Sequence, residues 1–296
     1  MQRRNFLKAS SLVLAGASSP RILPVGSGPA PEGSSGCTLA LNAYSFNAPL
    51  LAGEMALDEL FRFAKATGFH GIDLTAYYIP GYPEVPENEI LYEIKREAFR
   101  LGLAISGTGV RNDFTLSDPE ALEKEVQLVK SWVMAAARMG APHVRVFAGR
   151  GTENSEPREA VKRRIIGKFK ECADFASTHG VMIAFQNHYD YITSTSEILE
   201  ILDAVDSSWF GLMLDIGSVE GPDPYPDIER LIPHAISWQV KEQVRSEGGT
   251  VPTDYHRLMD LVKEVGYQGY FPLETLGEGD PFRKVETLYS RVAAAM

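Results

Sequence analysis

The chain has 296 residues, 44% hydrophobic and 23% charged, enough to bury a sizeable core. Its 29 basic and 39 acidic residues leave a formal charge of −10, which repels phosphate backbones and argues against nucleic acid or an anionic membrane as partner. No apolar run approaches the roughly 20 residues of a membrane span, which excludes stable membrane insertion and points to a small neutral or weakly charged ligand.

The first element is an address. "RRNFLKASSLVLAGA" pairs Arg3 with Arg4 ahead of a short, weakly apolar run and an A-x-A-like site at Ala15 and Ala17. It resembles a bacterial twin-arginine export signal and predicts a periplasmic or otherwise exported protein. The Pro, Gly and Ser-rich residues that follow read as a tether, so residues 1–36 are set apart from a folded domain over 37–296. Cys37 and Cys172 match no zinc pattern and read as free thiols.

From residue 38 a short β-rich apolar run is repeatedly followed by a segment of helical period. The runs are "TLALNAYSF", "GIDLTAYY", "LAISGTGV", "HVRVFAG", "VMIAFQN", "GLMLDIG", "ISWQVKE" and "GYFPLET". Several of the helical segments between them start after Asp, Ser or Thr and end at Gly, as helix caps require. Eight parallel β/α units predict an α/β chain folded as a single (β/α)8 TIM barrel. A doubly wound sheet is the alternative, and the glycine-rich phosphate turn that would support it is missing.

In such a barrel the chemistry lies at the C-terminal ends of the strands. The fifth predicted strand ends in Gln186 with His188 one inward step above, the sixth in Asp215, the seventh in Gln239 with Lys241 above, and the eighth in Glu274. Two carboxylates and two amides on adjacent strands form a donor set for a hard divalent cation. Each residue also has a bland explanation: Asp215 as a turn cap, Glu274 paired with a lysine on a neighbouring helix, Lys241 and Arg245 as solvated loop charges, Arg145 as a buried ion-pair member. Four such groups at consecutive strand ends favour a common partner, because burying them together without one is costly. Asn42, Tyr44, Arg145 and Arg245 are candidate substrate contacts, and Asp73 is a weaker candidate.

The order "GxDLT", "GAPHVRVFAG", "QNH", "LDIG", "QVK", "PLETLG" resembles the sugar phosphate isomerase/epimerase group of xylose isomerase-like TIM barrels. The resemblance implies a divalent metal, Mn²⁺ or Mg²⁺, held by Glu, Asp, His and Glu on the fifth to eighth strands. Those positions are Gln186, Asp215, Gln239 and Glu274 here, so two of the four depart from the pattern, and Ser218 stands where a further His is common. An amide carbonyl ligates a hard cation but shuttles no proton, which removes the second carboxylate of a two-base mechanism.

The expected function is a metal-dependent sugar or keto-sugar isomerase or epimerase working through an enediolate. Glu274 is the base, and His188 or Lys241 carries the second proton or steadies the oxyanion. Two alternatives stand beside it: a lyase or hydrolase acting on 3-keto-glycosides, and a barrel that binds carbohydrate without turning it over. Homo-oligomerisation is left open. A DNA-repair endonuclease would need a histidine-rich mouth and a basic surface, and the chain has six histidines and a negative charge.

Overall fold

Alternating β-branched runs and capped amphipathic segments close into a ring in the computed structural model, which describes residues 36–151, 156–188 and 190–296. The predicted export signal and all but the last residue of its tether lie outside the described residues. Strands β1 (Thr38–Asn42), β2 (Gly71–Thr75), β3 (Ala104–Gly109), β4 (His143–Val146), β5 (Met182–Gln186), β6 (Phe210–Asp215), β7 (Ala235–Lys241) and β10 (Tyr270–Glu274) form one closed barrel, in the order β1-β10-β7-β6-β5-β4-β3-β2. Every neighbouring pair is parallel. All eight predicted strands are therefore present, and the single (β/α)8 barrel is the architecture.

Around the ring lie α2 (Leu57–Thr67), α3 (Asn88–Arg100), α4 (Pro119–Met139), α5 (Arg158–Ser177), α6 (Thr195–Val205), α7 (Tyr225–Leu231), α8 (Tyr255–Val265) and α9 (Pro281–Ala295), with a short α1 (Asn47–Leu51) that the sequence reading passed over. The longest, α4, shows why these segments are helical. The Asp118 carboxylate accepts from the Ala121 N–H at 2.8 Å, Pro119 opens the first turn, and Gly140 closes the helix with φ +80°.

Outward-facing strand residues form the core against the helices. Phe169 of α5 sits 5.0 Å from both Phe185 of β5 and Phe210 of β6, and Trp238 of β7 lies 4.9 Å from Phe271 of β10. Each fully buried ring of this kind contributes about 1.5–3 kcal/mol through lost apolar surface.

Inward-facing residues are unequal in size, which makes room for long polar side chains. A Cβ on Gly109 of β3 would stand 2.8 Å from Nε of Arg145 on β4, so only glycine lets that arginine lie across the strand below the mouth. The loop after β7 departs from the expectation. It carries an antiparallel hairpin, β8 (Gln243–Ser246) and β9 (Gly249–Pro252), joined at Glu247-Gly248, where Gly248 takes φ +150°. "SEGG" between two short alternating runs was the local signal for it.

Candidate active site

The register of the barrel decides which inward side chains meet. Gln186 is level with Met213, Asp215 with Gln239, and Lys241 with Glu274. The register climbs unevenly around the ring: Asp215 is one inward position above Gln186, Gln239 is level with Asp215, and Glu274 is level with Lys241, one inward position higher. Lys241 therefore faces Glu274 across adjacent strands and does not stand above the cluster as a loop charge.

The result is a closed polar network at the floor of the mouth. The Gln186 amide Nε2 donates to Asp215 Oδ2 at 2.9 Å and to Gln239 Oε1 at 2.7 Å. Lys241 Nζ donates to Gln239 Oε1 at 3.2 Å, lies 3.5 Å from Asp215 Oδ2, and forms a close ion pair with Glu274 Oε2. All five side chains are buried. Burial pushes the Lys241 ammonium below its ordinary pKa, Asp215 opposes that shift, and the Arg145 charge adds to it. Gln186 Oε1 is buried without a hydrogen-bond partner among the described residues and belongs to the cavity wall. Reversing this amide would set an oxygen against the oxygens of Asp215 and Gln239, so the network itself assigns the orientation.

Asn187 explains why β5 ends in a polar triplet. The Asp215 N–H donates to Asn187 Oδ1 and Asn187 Nδ2 donates to the Asp215 carbonyl, both at 2.9 Å. The side chain thus acts as an extra rung between β5 and β6 beyond the strand's last residue. Asp215 does cap a turn as well, accepting from the Gly217 N–H at 3.0 Å, so its bland reading and its place in the site hold together.

Two lobes open above this floor. The larger, about 540 Å³, is bounded by Tyr44, Tyr77, Arg111, Arg145, Phe147 and Asp190 among others; the smaller, about 380 Å³, lies beside the β8–β9 hairpin. His188, Lys241 and Glu274 border both lobes. His188 stands exposed at the rim with its ring 5.0 Å from Phe147. The surrounding walls lower its pKa, Asp215 opposes them, and nearby arginines and Lys241 lower it further.

Arg145 is buried yet forms no ion pair among the described residues. It donates to the Val110 carbonyl at 2.6 Å and to the Tyr77 hydroxyl at 3.0 Å, and its guanidinium carbon lies 4.1 Å from the Phe147 ring centroid. Asn42 holds the Tyr44 N–H at 2.9 Å and reaches Asp73 at 3.4 Å, so it positions Tyr44 from beneath the wall. Burial raises Asp73 to about 6, with Arg145 opposing. Arg245 of β8 lies in the smaller lobe, 3.5 Å from Glu220. Tyr77, Arg111 and Asp190 were missed in the sequence. They lie beyond the strand ends, Tyr77 in a 3₁₀ turn (Ala76–Tyr78) and the other two in loops, where no periodicity marks an inward face.

A family model described as xylose isomerase-like TIM barrel matches residues 61–293. The chain belongs to that family. Among curated proteins, none matches the chain. Solved structures share its fold at low identity. A xylose isomerase-like TIM barrel protein from Mycobacterium smegmatis, solved in complex with magnesium, is 21% identical at TM-score 0.66, over 89% of this chain and 99% of that one. A 3-keto-D-glucoside 4-epimerase from E. coli is 14% identical at TM-score 0.70, over 87% and 99%. A D-psicose 3-epimerase from Clostridium cellulolyticum H10 is 13% identical at TM-score 0.68, over 87% and 91%.

The four residues that the resemblance assigns to a cation meet at the floor of the mouth, with Lys241 set among them. Gln186, Asp215, Gln239 and Glu274 do converge, but the inner oxygens of Asp215, Gln239 and Glu274 already receive the Gln186 amide or the Lys241 ammonium. Among the described residues, no group of three or more His, Cys, Asp or Glu side chains is placed to hold a metal. A dication seated among these oxygens would compete with Lys241 for Asp215, Gln239 and Glu274. The donor set differs from the pattern by two amides, Gln186 and Gln239, and the register brings Lys241 level with Glu274 beside it.

Proposed function

We propose that the chain is a sugar or keto-sugar isomerase or epimerase that removes a proton from the carbon next to a carbonyl. The observation that carries this reading is the Lys241–Glu274 pair at the floor where the two lobes meet. A substrate carbonyl seated there displaces the ammonium from its carboxylate. The Glu274 carboxylate then accepts the carbon-bound proton, and Lys241 donates a hydrogen bond to the oxygen that becomes the enediolate. His188, at the rim above both, returns a proton to the neighbouring atom. The unpartnered Gln186 Oε1 accepts from a substrate hydroxyl and fixes the ring. No step is assigned to a divalent ion, since Lys241 supplies the positive charge at that place.

The experiment is incubation with a panel of sugars and keto-glycosides in D₂O, with and without Mn²⁺, followed by NMR. Deuterium at the carbon next to the carbonyl, abolished by Glu274→Gln, is the expected result. No exchange and no product across the panel would leave a sugar-binding barrel without turnover. One feature favours elimination from a 3-keto-glycoside as a second reading. An amide, Gln186, stands where a second carboxylate would return the proton, and elimination needs a single base. An unsaturated product in the same spectra separates the two. Export by residues 1–36 is part of the proposal, resting on the paired arginines and the tether behind them.

A further inference from the structure

The chain carries a formal charge of −10, yet one wall of its larger lobe is basic. Arg111, Arg145 and Arg150 line that wall, and Lys241 at the floor is already paired with Glu274. Arg145 is only 5% exposed. A guanidinium at that depth is costly without a counter-charge. Its direct partners are neutral: the Val110 carbonyl, the Tyr77 hydroxyl and the Phe147 ring. Arg111, just beyond β3, brings a second guanidinium to the same tyrosine, its carbon 5.1 Å from the Tyr77 ring centroid against 5.5 Å for Arg145. Neither arginine forms an ion pair among the described residues. The carboxylates nearby do not cancel them. Asp73 lies below the wall at longer range, and burial raises Asp190 to about 7, which thins its negative charge near neutral pH.

We infer that Arg111 and Arg145, set around Tyr77, form a subsite for an anionic substituent of the substrate, a carboxylate or a phosphate, at the end of the molecule away from the Lys241–Glu274 pair. This rests on the isomerase reading for its substrate class and adds the charge of that substrate. The wall is preorganised: Gly109 gives Arg145 its space, and the carbonyl, hydroxyl and ring contacts hold its plane before any ligand arrives. It also orients the ligand. Asp215 and Glu274 lie on β6 and β10 and the arginines on the β3–β4 side, so an anionic group is drawn to one wall and repelled from the other. A neutral sugar has no such preference between its two ends.

The test is calorimetric titration of the full chain with D-glucuronate, D-glucose 6-phosphate and D-glucose, at low and high salt, alongside deuterium exchange on the same compounds. The acid or the phosphate binds at least about tenfold more tightly than glucose, and which of the two is tighter names the group. Salt reduces the advantage, and Arg111→Gln removes most of it without lowering the melting temperature, because that side chain is exposed. Equal affinities, no binding of either anion, or an anion preference that survives both Arg111→Gln and Arg145→Gln overturns the subsite. Exchange on glucose without anion preference removes the subsite and leaves the isomerase reading. Arginine-dependent anion binding with no exchange on any sugar does the reverse.

Discussion

Replacing Asn187 with alanine tests whether the polar end of β5 is a structural rung. The wild-type side chain satisfies both the N–H and the carbonyl of Asp215 at 2.9 Å, and Asn187 is buried. Alanine leaves both groups without a partner, at about 1–3 kcal/mol each when desolvated, and water entry recovers part of that. The expected loss is therefore about 2–4 kcal/mol, or roughly 4–16 °C in melting temperature at about 2–4 °C per kcal/mol for a domain of this size. Asn187→Asp retains the acceptor for the N–H but sets a carboxylate oxygen against the Asp215 carbonyl, so it destabilises at least as much. Turnover falls in both variants, because Asp215 holds the Gln186 amide and stands beside Lys241. Urea unfolding followed by tryptophan fluorescence and by circular dichroism measures the loss and checks that the transition is cooperative. An alanine variant within about 0.5 kcal/mol of wild type would refute the rung.

Three further outcomes are expected. Elemental analysis finds no stoichiometric Mn²⁺ or Mg²⁺ retained by the wild-type chain, whereas Lys241→Met raises Mn²⁺ affinity at least about tenfold by removing the competing charge; one retained equivalent in the wild type would contradict the lysine-filled centre. Burial lowers the pKa of His143, inside the barrel on β4, to about 4 from an ordinary 6.5, with Arg145 adding to the shift. The unfolded chain therefore holds more protons between those values, and this residue makes stability fall as pH drops through that window, by about 3 kcal/mol at most. His143→Phe, compared with wild type by urea unfolding from neutral pH to pH 4, should show a shallower acid decline; parallel curves would mean that His143 titrates alike in both states. Lysine at both Arg3 and Arg4 should leave the protein in the cytoplasm on fractionation, and an unchanged distribution would remove the export assignment.

The barrel was legible because its signals are local. Strands buried on both faces read as short apolar runs, and Asp118-Pro119 and Gly140 mark helix ends through their own backbone chemistry. Inward parity at the strand ends was legible too, since alternation along a strand is a matter of counting, and it placed Gln186, Asp215, Gln239 and Glu274 around one mouth. What counting along single strands left open was the height of one strand against the next. The shear of the closed barrel sets that height, and it levels Lys241 with Glu274, so that a lysine shares the oxygens that counting alone would leave to a metal. The arginine wall was hidden for a related reason. Arg111 and Tyr77 follow their strands in a loop and a 3₁₀ turn, and Gly109 matters only because Arg145 lies across it. Sequence carries the chemistry of each side chain and its face on its own strand. Distances between strands depend on ring closure, so only the tertiary structure decides which charges meet.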